Sequence, residues 1–245
     1  MKLKVLGSSS KGNSYLLESS SGQILVLEAG IRLAEIKKQI EFKIMDIIGC
    51  LITHEHGDHA AYANQFTEAA IDVYCSKGTA TKFKPHHRIN TITALDSVRI
   101  GEFKVVPFNV IHDAAEPFGY LINHPECGTT LFLTDTFYSE FTFKGLNNII
   151  LEVNYDVDIL DANIESGRLA PSIKSRIITS HMSIQTALEL LEANDLSKVN
   201  NIVLIHLSDG NSHEINFKKE IEVATAKTVT VADTGTEVLL NKTPF

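Results

Sequence analysis

The sequence predicts an α/β protein in which sheet is flanked by helices, and three observations carry that reading. Apolar runs of strand length recur along the 245 residues, among them 47–52, 129–133 and 202–205. Each is too short for a free-standing helix and is bounded as buried strands are. Segments 31–42 and 184–193 instead space their apolar residues along one helical face. Finally, a histidine or aspartate stands just beyond several of the strand-like runs: His54, Asp135 and His206. In sheets flanked by helices, ligands bind beyond strand ends, so such residues can converge on one edge.

In chain order, residues 3–6 read as a first strand, followed by the loop Gly7-Ser8-Ser9-Ser10-Lys11-Gly12-Asn13-Ser14. The loop superficially resembles a phosphate-cradling P-loop, but Lys11 precedes the glycine and no helical pattern follows. Residues 15–17 and 23–27 continue as strands around a turn at Ser21-Gly22, so the chain opens as a β-meander that Glu28-Ala29-Gly30 ends. Ile31, Ile36 and Ile40, with charges between them, predict the helix over 31–42. The strand 47–52 then runs into His54-Glu55-His56-Gly57-Asp58-His59. Beyond it, 60–70 favours helix and 71–75 a short strand. Residues 79–90 are polar and basic, and their His86-His87 pair reads as solvated loop. Strands and turns fill 89–110 and lead to His112. Ser183 is placed to cap the helix over 184–193, after which a strand leads to His206.

The six-residue cluster is the densest chemistry in the chain. Imidazole nitrogen and carboxylate oxygen are the donors that borderline divalent metals prefer. His54 and His56 can point the same way, because side chains alternate with period two in extended backbone. Asp58 and His59 lie just past that pair and can face a second metal, with Gly57 expected to turn the chain sharply between the two sets. His112 alone is a weak signal. It gains weight from Asp135 and His206 at further strand ends.

The formal net charge of −8 argues mildly against long nucleic acid held through its phosphates, which calls for a basic stripe. The local basic cluster is Lys77, Lys82, Lys84, His86, His87 and Arg88. Bound cations would offset negative charge locally, so the overall sign is compatible with a phosphate substrate. No run approaches the ~18 apolar residues that span a bilayer. The N-terminus lacks the apolar segment and cleavage site of a secretory signal. Cys50, Cys75 and Cys127 are widely spaced and form no Cys-x-x-Cys pair. They read as reduced thiols in a cytoplasmic protein.

The ordered set His54, His56, Asp58, His59, His112, Asp135 and His206 resembles the metallo-β-lactamase superfamily, over essentially the whole chain. The resemblance implies one hydrolase domain over 1–245, an αββα sandwich of two face-to-face sheets with a two-metal site on one edge. It implies that His54, His56 and His112 hold one divalent ion and Asp58, His59 and His206 the other, with Asp135 bridging. Zinc suits the histidine-rich ligation, and manganese or iron suits the mixed carboxylate site nearly as well. His181-Met182-Ser183 resembles the histidine motif of the family's transfer-RNA-processing nucleases, which implies a proton donor to the leaving oxygen. Leu151-Glu152-Val153 resembles the segment whose glutamate orients that histidine. From the residues alone, a non-catalytic His181 is the lesser reading, while Glu152 is equally open to that of a surface carboxylate.

The glycine- and serine-rich loop, His181-Met182-Ser183 and His206-Leu207-Ser208-Asp209-Gly210-Asn211 together are similar to two groups of the superfamily. One is the YycJ/WalJ-type proteins, single-strand DNA exonucleases. The other is the phage anti-Pycsar phosphodiesterases, which hydrolyse cyclic nucleotide defence signals. Glu28 stands where an aspartate is usual in Asp-Ala-Gly, and His213 also departs, neither in expected contact with the ligands. The implied mechanism places two cations roughly 3.5–4 Å apart around a bridging hydroxide, oriented by Asp58, that attacks phosphorus in line. Protonated His181, held by Glu152, then neutralises the leaving oxygen. Acidic charge and compact length favour a small nucleotide, so the expected substrate is a 3′,5′-cyclic mononucleotide, pyrimidine forms included. The alternative is 5′–3′ exonucleolysis of single-stranded DNA. Thioester or lactone hydrolysis and a silent binding fold are lesser readings, since a silent fold would have shed ligands and all seven are present. The resemblance also implies a homodimer whose partner helps close the pocket.

Overall fold

The computed structural model describes residues 1–243. Strands β1 (Lys2–Ser9), β2 (Gly12–Glu18) and β3 (Ile24–Leu27) form the expected antiparallel meander. The stretch read as a glycine- and serine-rich loop is instead a tight hairpin, with Ser9 paired to Gly12 and Ser10 and Lys11 at its tip. Asn13 and Ser14 are buried in it, and Asn13 reaches the site described below.

Helix α1 (Leu33–Gln39) is the helix predicted over 31–42, stopped where Glu41 and Phe42 take left-handed backbone. Next come β4 (Ile47–Leu51), α2 (Gly57–Ala60), α3 (Ala63–Glu68), β5 (Val73–Cys75), α4 (Lys77–Ala80) and β6 (Ile89–Thr91). The helix expected over 60–70 is broken between α2 and α3, where the Tyr62 amide turns to the Ala29 carbonyl. The second half supplies β7 (Val98–Ile100), β8 (Phe103–Asn109), β9 (Phe118–His124), β10 (Gly128–Leu133) and β11 (Leu146–Glu152). It continues through α5 (Val157–Glu165), α6 (Pro171–Ser180), α7 (Ile184–Glu192), β12 (Asn201–Ile205), α8 (Glu214–Thr225), β13 (Thr228–Val231) and β14 (Glu237–Leu239). Ser183 caps α7 as its position suggested, accepting from the Thr186 amide at 3.1 Å.

The strands make two seven-stranded sheets, ordered β14-β1-β2-β3-β4-β5-β6 and β13-β12-β11-β10-β9-β8-β7. Their inner faces meet through residues such as Val5, Tyr15, Leu27 and Leu51 on one side and Tyr120, Phe132, Ile150 and Ile205 on the other. Outside the first sheet, Leu33, Ile36 and Phe66 of the helices cover Leu16, Val26 and Cys50. Outside the second, Ile184, Leu191, Phe217 and Ile221 cover Leu131, Leu133, Ile149 and Leu204. Neighbouring side chains on β10 therefore serve different layers, Phe132 the inner and Leu131 and Leu133 the outer, which is why the strand is apolar throughout. This is the αββα sandwich expected. Cys50, Cys75 and Cys127 are free and buried, and no helix among the described residues is long and apolar enough to cross a membrane.

Strand direction decides where chemistry can gather. The pairings make β1, β3 and β4 run the same way in the first sheet, and β8, β10, β11 and β12 in the second. Their C-terminal ends open on one rim.

Candidate metal centre

Every residue of the expected set lies on that rim. His54 follows β4, Asp58 and His59 open α2, and His112 lies three residues past β8. Asp135 and His206 follow β10 and β12, and both hold left-handed backbone, with φ of 47° and 55°. Aspartate and histidine tolerate that conformation better than most residues, yet it still stores about 1–3 kcal/mol each. The left-handed step turns each side chain off the strand line and into the rim. Gly57 does not make the sharp turn expected of it. It is the first residue of α2 with open space where a Cβ would stand, and the change of direction falls at extended His56. The glycine the loop needs is Gly30, where a Cβ would overlap the Asp58 carbonyl oxygen.

The first cluster is His54, His56 and His112. His56 Nδ1 lies 3.0 Å from His54 Nε2 and 3.1 Å from His112 Nε2. His112 Nδ1 donates to the Ser180 carbonyl at 2.9 Å, so its Nε2 presents a bare lone pair when the ring is neutral. Three ring nitrogens converging on one point cannot all be satisfied by shared protons, whereas a cation accepts from all of them. Burial holds His54 well below the usual imidazole range, with the neighbouring His59 charge adding to it. Burial also lowers His112, against the pull of Asp135.

The second cluster is Asp58, His59, Asp135 and His206, with ligand atoms that lie within 4.8 Å of one another. Asp58 Oδ2 is 3.3 Å from His59 Nε2 and 3.4 Å from His206 Nε2. Asp135 Oδ2 faces both clusters, 3.3 Å from His59 Nε2, 3.7 Å from His112 Nε2 and 3.8 Å from His54 Nε2. Here the carboxylates outweigh burial. They push His59 well up and His206 up to about 10, while Asp58 and Asp135 are driven down by the same partners. A mixed carboxylate and imidazole pocket that traps protons in this way has the charge to take a divalent cation in their place.

His181 and Glu152 stand beside the second cluster. Glu152 is fully buried at the end of β11, not a surface carboxylate. Its Oε1 accepts from His181 Nδ1 at 2.7 Å and from His206 Nδ1 at 2.9 Å, and its Oε2 accepts from the Thr136 amide at 3.2 Å. One carboxylate oxygen thus fixes both rings. Against burial, Glu152 raises the pKa of His181, which favours its protonated form. His181 and His206 line a cavity of about 260 Å³ with Ser9, Ser10, Ile177 and Ser208. His86 and His87 stack on each other at 4.4 Å, apart from every metal-capable group found among the described residues.

Several bracing residues escape a reading of the sequence alone. Asn13 Nδ2 lies 3.3 Å from Asp58 Oδ2 and 3.1 Å from His59 Nε2. The His206 amide donates to Ser8 Oγ at 2.9 Å. Glu28, expected to stand clear of the ligands, faces His59 Nδ1 from 3.6 Å while accepting from the Thr53 amide. His59 Nδ1 has no other polar partner within hydrogen-bond reach among the described residues. His213 is exposed and caps α8. A departure from a family's usual residue at Glu28 was the available signal, since a longer acid in a turn must put its carboxylate somewhere.

Taken together, the clusters form a binuclear divalent-metal centre whose donor set suits zinc, in a metal-dependent hydrolase. A model of the β-lactamase superfamily domain matches residues 32–207. Exodeoxyribonuclease WalJ of Streptococcus pneumoniae serotype 2 is 29% identical over 260 residues, covering 97% of this chain and 91% of that protein. Exodeoxyribonuclease YycJ of Bacillus anthracis is 30% identical over 237 residues, covering 88% and 86%. The metallo-β-lactamase fold protein YhfI from Bacillus subtilis superposes with a TM-score of 0.73 at 16% identity over 97% of this chain and 98% of its own. The short form of human tRNase Z does so with 0.64 at 17% over 98% and 99%. Those two likenesses are of fold. With the layered fold, the two-cluster rim and a family match over most of the length, the chain belongs to the β-lactamase superfamily, in its metallo-β-lactamase form.

Proposed function

We propose that the protein is a two-metal exodeoxyribonuclease that shortens single-stranded DNA from the 5′ end. The observation that carries this reading is near-full-length alignment with relatives named as exodeoxyribonucleases. It takes the place of the expected cyclic mononucleotide, which rested on overall charge, compactness and the resemblance to the phage phosphodiesterases. In this reading His54, His56 and His112 would hold one ion and Asp58, His59 and His206 the other, with Asp135, which faces both clusters, available to either. A bound pair of divalent ions neutralises charge on the phosphoryl oxygens and lowers the pKa of water toward neutrality.

The chain's own residues supply the rest. Asp58 and Asp135 orient the attacking water across from the leaving group. His181 gives its proton to the sugar oxygen as the P–O bond breaks, so that no free alkoxide departs. Glu152 keeps that proton on His181 before the step and holds the ring's angle through Nδ1. Because the same oxygen also fixes His206, donor and ligand keep their spacing. The wall formed by Ser9, Ser10 and Ser208 offers hydroxyls to the nucleotide beside the scissile bond.

A second reading, hydrolysis of a 3′,5′-cyclic mononucleotide, is favoured by the small cavity at His181, about 260 Å³. One assay separates the two. Metal-loaded protein is given 5′-labelled single-stranded DNA in one arm and purine and pyrimidine cyclic nucleotides in the other, beside a His54→Ala/His56→Ala control. Shortening of the DNA with cyclic nucleotides intact supports the nuclease. Turnover of cyclic nucleotides with the DNA untouched sinks it.

A further inference from the structure

The basic charge of the chain is unevenly spread. Residues 166–188 contain Arg168, Lys174 and Arg176 and no aspartate or glutamate, in a chain of formal charge −8. Helix α6 fills the middle of that stretch and ends directly at His181. Ile173, Arg176, Ile177 and Ser180 recur at the spacing that shares one helical face. The lower end of that face is already at the site: Ser180 holds His112 through its carbonyl, and Ile177 lines the cavity beside His181. The upper end is open, with Ile173 44% exposed and the Arg176 side chain 74% exposed.

The cations of the stretch are not equivalent. Lys174 is turned to Asp161 of α5, and Arg168 donates to Ser166 Oγ at 3.0 Å. Among the described residues the Arg176 side chain has only a long contact, Nε to Asp113 Oδ2 at 4.0 Å, and Asp113 is itself half exposed and bonded by Ser180 Oγ. Arg176 is therefore the available cation of this stretch at the mouth of the metal centre. An arginine between exposed Ile173 and half-buried Ile177 on one face matches an anionic backbone with apolar sugars and bases attached.

We infer that this face of α6 is the track for the DNA strand adjoining the scissile phosphate, with Arg176 on a flanking phosphate and Ile173 and Ile177 against sugar or base. The inference rests on the DNA reading above and extends it. A cyclic mononucleotide has one phosphate, already engaged at the centre, and would leave Arg176 without a partner. The track also resolves the charge objection, since the acidic surplus lies elsewhere in the sequence.

The test is steady-state degradation of a single-stranded oligonucleotide across a salt series. The proteins are wild type, Arg176→Gln, Arg176→Lys and Lys219→Gln, the last an exposed lysine on α8 as surface control. Arg176→Gln is expected to raise KM by about tenfold with a lesser effect on kcat, and to flatten the slope of log KM against log salt by about one. Arg176→Lys keeps the slope, and Lys219→Gln matches wild type. If wild type degrades DNA and Arg176→Gln shows the same KM and slope, the track is wrong and the nuclease stands. An equal loss in Lys219→Gln would also overturn the track, because the effect would be one of net charge. Wild type inert on DNA would overturn the nuclease reading and the track with it.

Discussion

The two metal clusters share a rim and face one carboxylate, Asp135, yet they are prepared in opposite ways. In the first, the outward nitrogens meet uncharged oxygens, Thr53 Oγ1 beside His54 and the Ser180 carbonyl beside His112. Burial keeps those two rings neutral, with lone pairs ready. In the second, Glu28, Glu152, Asp58 and Asp135 surround His59 and His206 and hold protons on them against the same burial. One cluster is set to receive a cation directly. The other must exchange protons for it. The lesson is that ligand identity alone does not define a binuclear site; what stands behind each imidazole decides the cost of loading it.

Removing the first cluster is the bluntest way to break this contrast. His54→Ala with His56→Ala should lower phosphodiester turnover by about a thousandfold or more, because several kcal/mol of phosphoryl charge stabilisation is lost. Elemental analysis should find the bound metal roughly halved. Gly30→Ala strikes the second side alone, by driving a methyl group against the Asp58 carbonyl. Overpacking of this kind costs about 1–3 kcal/mol, read as a lower midpoint in thermal unfolding together with weaker retention of one ion. Glu28→Gln keeps the shape but removes the charge behind His59. It should weaken one ion by about ten- to a hundredfold and spare the other, so equal weakening of both in a chelator competition would argue against the contrast.

Two pH measurements sharpen it further. His206, raised to about 10, is protonated at neutral pH in the metal-free protein, so the second ion must expel a proton. Its affinity should climb by up to about tenfold per pH unit until that value is passed. Calorimetry in buffers of different ionisation heat should show proton release for one ion and little for the other. The smallest effect concerns His181, whose acid form is preserved by Glu152. Glu152→Gln removes the charge that raises it, so the proton is lost at lower pH. The alkaline limb of the kcat profile should move down by about one unit.

Much of the site was legible because it is contiguous or periodic. His54 through His59 sit in one stretch, and His112, Asp135 and His206 each follow an apolar run that could be recognised as strand. Their convergence needed only parallel strand direction, which buried two-faced runs suggest. The braces were not legible, because Ser8 meets the His206 amide across most of the chain's length, and Asn13 of β2 meets Asp58 of α2, 45 residues further on. Nothing local distinguishes them from hairpin residues. Helices α5 and α6 went unassigned despite local signals, the Asp156 cap and Pro171 at the first helical turn, since their apolar residues lack a fully buried face. That omission also bears on the choice of substrate. A net charge averages over the chain and hides a stretch such as 166–188 that carries no acid.

Ser180 and His181 are consecutive residues; the first holds His112 of the first cluster through its carbonyl, and the second is the proton donor proposed above. The peptide that joins them acts as a shared lever. A shift at the end of α6 changes the angle of His112 and the reach of His181 in one movement, so affinity for metal and the rate of proton delivery are not independent properties. Whatever presses on α6 from outside is felt by both, and by reciprocity metal occupancy must be felt by whatever binds along α6, by the same factor. Variants selected for tighter metal at His112 should therefore be found altered in kcat as well, with α6 as the common cause.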